Sequence, residues 1–348
     1  MGGHSSNYAT EFLNGQVDPN VLAALPSVEE VISVDSGNKS AWAHALRIAV
    51  RHQNGEEESY FMKVAFGSQG LESLKGEYEA TAAIYAITPD FCPKPIAWGT
   101  LETAPDTHFY LRKYYEFFEG VPEPESFCEK LAMLHSSHTS PEGKFGFHCT
   151  TYNGNIPQDN TWSDSWELFF ANGLRHVLNI REARAGPDAE LDELLPGLFD
   201  KVIPRLLRPL ESNGRSIEPT LVHGNLWCGN AAIIDDETEE GIIFDPSSFW
   251  AHNEYELGNW RPVRNKFTRR YFEAYQSIIP KAEPEADFDD RNALYALRFN
   301  LNAATLFTQD KNYLQMVIDE IRRLTEKYPD GYVDEVGQDK PNESRFRL

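Results

Sequence analysis

The sequence predicts an α+β chain in two parts, a small antiparallel sheet carrying one helix and then a larger, mostly helical region. Three patterns predict it: apolar and polar residues alternating over 42–51, a helical stripe over 71–85, and helical segments recurring from residue 126 onward. The 348 residues suit about two folded units. With 41% hydrophobic and 12% aromatic residues they supply ample core.

Residues 1–30 read as a cap-rich lead-in with one short helical stretch at 19–25. A strand is expected at 31–34. Trp42, His44, Leu46, Ile48 and Val50 then alternate with Ala43, Ala45, Arg47, Ala49 and Arg51, and Asn54-Gly55 supplies a hairpin turn into a strand at 60–65. After Gly67 and Gly70 the spacing becomes helical, with Leu71, Leu74, Tyr78, Ala82 and Tyr85 on one stripe that stops near Pro89. Strands at 96–99 and 109–115 complete a first region over residues 31–116. Gly, Pro and Glu crowd 119–124 as a linker. The second region, 117–335, is expected to be helical at 126–136, 164–185, 190–213, 265–279, 287–307 and 312–327, interrupted by one hairpin. A polar tail, 336–348, follows.

The hairpin carries the chemistry. Apolar runs at 231–234 and 241–244 flank an acidic turn, and with Ile234 facing Gly241 the register puts Asn230 opposite Asp245 at its open end. A carboxylate and an amide oxygen with no sulfur or imidazole beside them suit a hard ion such as Mg2+, which keeps waters and bridges substrate phosphates. His223-x-Asn225-Leu226-x-x-x-Asn230 has the spacing of the protein-kinase catalytic loop, and Asp245 falls where its metal-binding Asp does. Lys63, in a strand, and Glu77, beside the buried stripe of the next helix, are placed to form the ion pair that orients nucleotide phosphates. The phosphate-covering turn falls at 36–40, where Gly37 is the one glycine. Singly, each has a plainer reading: Asn225 and Asn230 as turn residues, Asp245 before Pro246 as a strand end, His223 as a structural histidine, Lys63 as a surface lysine. Their order along the chain points to phosphotransfer.

With these residues in place, the sequence resembles the ketosamine kinases (fructosamine-3-kinase and protein-ribulosamine 3-kinase), relatives of aminoglycoside and choline kinases. The motifs are Lys75-Gly76-Glu77, Pro93-Lys94-Pro95-Ile96, Leu131-Ala132-Met133-Leu134-His135, Phe145-Gly146-Phe147, Trp162-Ser163-Asp164-Ser165-Trp166 with Phe169-Phe170, and the His223 loop ahead of Phe244-Asp245-Pro246. Asn253-Glu254-Tyr255-Glu256 is similar to a fungal branch. The resemblance implies a bilobal, protein-kinase-like fold of the aminoglycoside-phosphotransferase type, ATP with Mg2+, and phosphorylation of the 3-hydroxyl of a sugar held as a ketoamine on lysine. Phosphate there lies β to the keto group, so elimination frees the amine: protein deglycation. By the same resemblance Lys63, Glu77 and Gly37 hold phosphates, and Asn230 and Asp245 hold the metal. Lys113, Tyr114, Tyr115 and Glu116 form the hinge at adenine, and Trp227 and Glu254 face the substrate.

The departure is Asn225, where the family's pattern has the Asp that takes or orients the hydroxyl proton. A neutral amide cannot take a proton, so turnover is expected to be impaired while nucleotide binding survives. A substitution of the kind made to trap substrate and a natural pseudokinase both fit. Two other readings stay open: a noncatalytic binder of nucleotide or glycated amines, and a kinase of another small hydroxylated amine.

A formal charge of −22 repels nucleic acid and anionic lipid. Cys92, Cys128, Cys149 and Cys228 lack metal or disulfide spacing, which fits a reducing compartment. No apolar run is long enough to span a membrane, and Lys39 is the first Lys or Arg, so a cytoplasmic protein is expected. Met1-Gly2 with Ser6 matches the short N-myristoylation pattern, without a polybasic second signal.

Overall fold

The computed structural model describes residues 17–39, 43–137 and 140–333. The myristoylation match, Ser40 and Trp42, and the polar tail therefore lie outside the described residues.

In chain order the elements are α1 (Pro19–Ala24), β1 (Val28–Lys39), β2 (His44–His52), β3 (Glu57–Phe66), α2 (Gly67–Ile87), β4 (Pro95–Thr100), β5 (Thr107–Lys113), α3 (Pro124–His135), β6 (Tyr152–Asn153) and β7 (Ile156–Pro157). There follow α4 (Trp166–Ala185), α5 (Ala189–Gly197), α6 (Ile203–Leu207), β8 (Thr220–Val222), β9 (Ala231–Asp235), β10 (Glu240–Ile243), β11 (Phe249–Ala251), α7 (Glu254–Leu257), α8 (Arg269–Ile278), α9 (Phe288–Leu306) and α10 (Lys311–Lys327).

They form two compact units, one reaching Asp164 and taking in Glu218–Pro280, the other Ser165–Ile217 with Lys281 onward. The boundary expected at 116/117 does not coincide with this division. The segment after the sheet packs with it, so the sheet and the loop carrying His223 share the first unit.

The period-two pattern places the residues of β2 and β3. Strands run antiparallel in the order β1-β2-β3-β5-β4. Leu46, Ile48 and Val50 of β2, Tyr60, Met62 and Val64 of β3, and Phe109 and Leu111 of β5 form one buried core with Val21 of α1. The opposite face follows from the register: Ala45 pairs with Lys63 and Lys63 with Tyr110, while Arg47 pairs with Phe61 and Phe61 with Arg112. Helix α2 packs on that face, where Leu74, Ala65 and Tyr110 make a second cluster. Helix α2 also comes close to the segment at Thr150 and Thr151, where a Cβ on Gly76 would stand 2.4 Å from the Thr150 carbonyl oxygen. This accounts for glycine between Lys75 and Glu77.

Three expectations need correction. The strand expected at 31–34 runs as β1 from Val28 to Lys39. The helix expected at 190–213 is broken into α5, a π turn at Leu198–Val202, α6 and a 3₁₀ turn at Arg208–Glu211. Pro196, Pro204 and Pro209 lack the N–H a continuous helix needs. The second region also holds more than one strand pair: β6 and β7 form a hairpin and β8 pairs with β11, besides the β9–β10 hairpin.

In the second unit α9 is buried along most of its length, and fully buried Trp166 donates its Nε1–H to the Tyr295 hydroxyl at 2.8 Å. The four cysteines are free thiols. Among the described residues, no helix is long and apolar enough to cross a membrane.

Candidate active site

Strand β8 ends at Val222, and His223 begins the loop. Its imidazole is fully buried, donating Nε2–H to the Phe244 carbonyl at 2.9 Å and accepting the Asn225 backbone N–H at Nδ1 at 3.2 Å. Burial depresses its pKa, which suits this neutral tautomer. Expected among the catalytic residues, His223 has both ring nitrogens committed to backbone groups of the loop and of Phe244. Gly224 takes φ +75°, and a Cβ there would lie 2.4 Å from the Ser247 carbonyl oxygen.

Beneath the loop, the wholly buried Glu256 accepts the backbone N–H groups of His223 and Gly224, the latter at 3.1 Å. Its other neighbour is His135, whose Nε2 lies 3.8 Å away. Glu254, expected to face substrate, is 2% exposed. It opens the short helix α7.

The β9–β10 register differs from expectation by one residue. A bulge follows the Asp235–Glu240 pair, after which Gly241 pairs with Ile233 and Ile243 with Ala231. The extra residue is Ile234 on β9. Phe244 therefore comes opposite Asn230 and donates its N–H to the Asn230 carbonyl at 3.0 Å. Asp245 leaves the ladder at φ +57°, a left-handed conformation that Asp tolerates better than most side chains.

Asn225 connects the two. Its Nδ2 donates to the Asp245 carbonyl at 3.4 Å, and its own carbonyl accepts Asn230 Nδ2 at 2.9 Å. Its Oδ1 accepts Asn153 Nδ2 at 3.2 Å. Asn153, on the small β6–β7 hairpin, carries no signal in the sequence.

Lys63 Nζ sits between Glu77 (2.8 and 2.9 Å) and the Asp245 carboxylate (2.7 Å). Burial opposes charge on all three groups. Pairing outweighs it for Lys63, held above its ordinary pKa by Asp245 and then Glu77, and for Asp245, held below by Lys63 and Arg112. Burial prevails at Glu77, whose carboxyl is pushed up to about 7.

Of these groups Lys63 and Asp245 line a cavity of about 600 Å³ in the first unit. Asp35, Ser36 and Gly37 line the wall beside Lys63 and Asp245, as the covering turn requires. Tyr114, Tyr115, Phe117 and Phe244 line the rest, the last two rings stacked at 4.8 Å. Of the four hinge residues expected, Tyr114 and Tyr115 line the cavity, whereas Lys113 and Glu116 do not. Lys113 holds its ammonium 5.7 Å from the Tyr115 ring, and Glu116 is three-quarters exposed. Arg112, which reads in the sequence as an ordinary strand residue, lines the cavity as well. Trp227 is 40% exposed, its ring folded against Gly229, so it is not a core tryptophan.

The donor set suits a hard cation held together with phosphates. Asp245 offers a carboxylate, and Asn230, its amide nitrogen spent on Asn225, offers an oxygen. Among the described residues no three acidic, His or Cys side chains converge to hold an ion unaided. Mg2+ ordinarily binds through one or two such groups plus substrate oxygens.

A five-stranded sheet with one helix, a buried Lys–Glu pair, and a His-Gly-Asn loop beside an Asp define a kinase of the protein-kinase-like type. The chain belongs to the fructosamine kinase family, whose model matches residues 29–327, and is an ATP-dependent kinase. It is 30% identical over 271 residues to the chloroplastic protein-ribulosamine 3-kinase of Oryza sativa subsp. indica, covering 76% of this chain and 73% of that protein. A probable ketoamine kinase of Synechocystis is 32% identical over 256 residues, covering 72% and 78%. Among solved structures, a putative fructosamine-3-kinase from Thermobifida fusca superposes with TM-score 0.69 at 22% identity, covering 89% of this chain and 100% of that one. The apo form of a thermostable mutant of aminoglycoside phosphotransferase APH(4)-Ia gives 0.56 at 14% identity, covering 86% and 95%. The expected family and fold are borne out.

Proposed function

We propose that the chain is a ketosamine 3-kinase, taking the γ-phosphoryl of ATP to the 3-hydroxyl of a fructosamine or ribulosamine adduct and so labilising the sugar on its amine. The observation that supports it most is the bridging of Asn230 and Asp245 by one residue, Asn225, in the loop under the Lys63–Glu77 pair. A Mg2+ ion on Asp245 and Asn230 would neutralise charge on the β- and γ-phosphates. Lys63, fixed by Glu77, would pair with phosphate oxygens. Tyr114, Tyr115 and the Phe117–Phe244 stack enclose the base. Trp227 offers an exposed aromatic face to the sugar. Asn153 holds the Asn225 amide in place, and the Asn225 oxygen accepts a hydrogen bond from the sugar hydroxyl without taking its proton. Positioning and electrostatics are retained and the proton acceptor is lost.

The test is phosphorylation of fructosyl-lysine and ribulosyl-lysine with ATP and Mg2+, followed by phosphorus NMR, for the chain as it stands and for Asn225→Asp. The expected product is the 3-phosphate, formed about 10² times faster or more by the Asp form, as general-base catalysis is ordinarily worth. Transfer only to an aminoglycoside or to choline overturns the substrate class. No transfer by the Asp form to any acceptor, with nucleotide still bound, makes the chain a noncatalytic binder.

A further inference from the structure

Between Glu256 and Glu273 the chain carries Arg261, Arg264, Lys266, Arg269 and Arg270 and no acid, although acids outnumber Lys and Arg 54 to 32 overall. The stretch joins α7 to α8 within the first unit. Two buried side chains fix its shape. Asn265 Nδ2 donates to the carbonyl and to Oδ1 of Asn259, at 2.6 and 2.9 Å, and Phe267 stacks on Trp260 with ring centroids 4.8 Å apart. Around these anchors the chain faces solvent: Val263 is 94% exposed, and Arg264 and Lys266 are exposed as well.

This loop stands beside the catalytic one. The Cys228 thiol donates to the Arg264 carbonyl at 4.0 Å, and Cys228 follows the part-exposed Trp227. Further on, Arg269 and Arg270 meet Glu273 and Glu125 at 2.7 and 2.9 Å. Charge decides what such a surface receives. A chain at −22 repels an acidic polypeptide over most of its surface, and attraction is left to places where cations gather without acids. A ketoamine on a protein lysine arrives with the residues around it. We infer that the 261–266 loop docks the polypeptide flanking the modified lysine, and that its cations favour adducts flanked by Asp and Glu. The inference rests on the ketosamine reading and deepens it. The competing account is a charged loop that serves solubility alone and favours no peptide over another.

Fluorescence anisotropy of labelled peptides bound to the full chain with Mg2+ and ADP separates the two. Each peptide carries one fructosyl- or ribulosyl-lysine flanked by Glu or by Gln, and the free sugar-lysine serves as competitor. The Glu-flanked peptide is expected to bind about fivefold tighter or more at low salt, and the difference is expected to vanish at about 0.5 M salt. Arg264→Glu combined with Lys266→Glu is expected to reverse the preference and to leave the affinity for the free sugar-lysine unchanged. Lys266→Glu alone, at an exposed position, is expected to diminish the preference and carries the test if the double variant fails to fold. Equal binding of the two peptides by the unaltered chain overturns the inference, as does a Glu preference that survives the charge reversal. An unmodified Glu-flanked peptide that binds as tightly as the sugar-bearing one also overturns it, since the loop then acts apart from the acceptor site. Free sugar-lysine that binds while no flanking preference appears overturns this inference alone. Binding of neither the free sugar-lysine nor any peptide overturns the ketosamine reading, and the inference with it.

Discussion

Replacing Glu256 tests how the catalytic loop is held. Its carboxylate is wholly buried and accepts two backbone N–H groups, from His223 and Gly224, that have nowhere else to turn. In Glu256→Gln one oxygen becomes an NH2 group facing a backbone donor. That removes a charge-assisted hydrogen bond worth about 1.5–3 kcal/mol and strands a buried N–H at about 1–3 kcal/mol more. The sum, roughly 2.5–6 kcal/mol, is a large share of the stability of an ordinary domain. Glu256→Ala strands both donors and should cost no less. Urea unfolding followed by tryptophan fluorescence measures the loss, and titration of the folded fraction with Mg2+ and ADP shows whether the loop still assembles. A loss under about 1 kcal/mol in the Ala variant would refute the argument, because two stranded donors cannot be that cheap.

Two further outcomes follow from the same geometry. His223 has its pKa depressed by burial, so its contribution to stability is complete above its unfolded value of about 6.5 and is lost as pH falls through the folded value. Unfolding free energies measured from about pH 7 down to pH 5 should fall, and His223→Gln should flatten that slope. Gly76→Ala drives a methyl onto the Thr150 carbonyl and should cost about 1–3 kcal/mol, whereas Gly173→Ala, in open space on α4, should stabilise by up to about 1 kcal/mol; thermal unfolding of the pair reads both.

The sheet could be read from the sequence because its rule is local: alternate residues face alternate sides, and that assigns both the core of Leu46, Ile48 and Val50 and the functional face of Lys63. The Lys63–Glu77 pair could be read for the same reason, a strand position followed by a helix position. The hairpin was readable in place and not in register, since a bulge at Ile234 shifts every pair beyond Asp235–Glu240 by one and no local pattern announces it. Asn153 reaches Asn225 across 72 positions, and no local pattern marks such a contact. Glu254 and Glu256 are equivalent carboxylates in the sequence. Only the packing of α7 under the loop decides that Glu256 meets the His223 and Gly224 amides.

The most direct measurement concerns the cation around which these residues are arranged. Manganese titrated into the chain in the presence of ADP, with free ion followed by electron paramagnetic resonance, reads that binding without requiring turnover. Nucleotide-dependent loss of the free signal is expected, abolished by Asp245→Asn and retained by Asp35→Asn on the covering wall of the same cavity. Undiminished manganese binding in Asp245→Asn would contradict the arrangement.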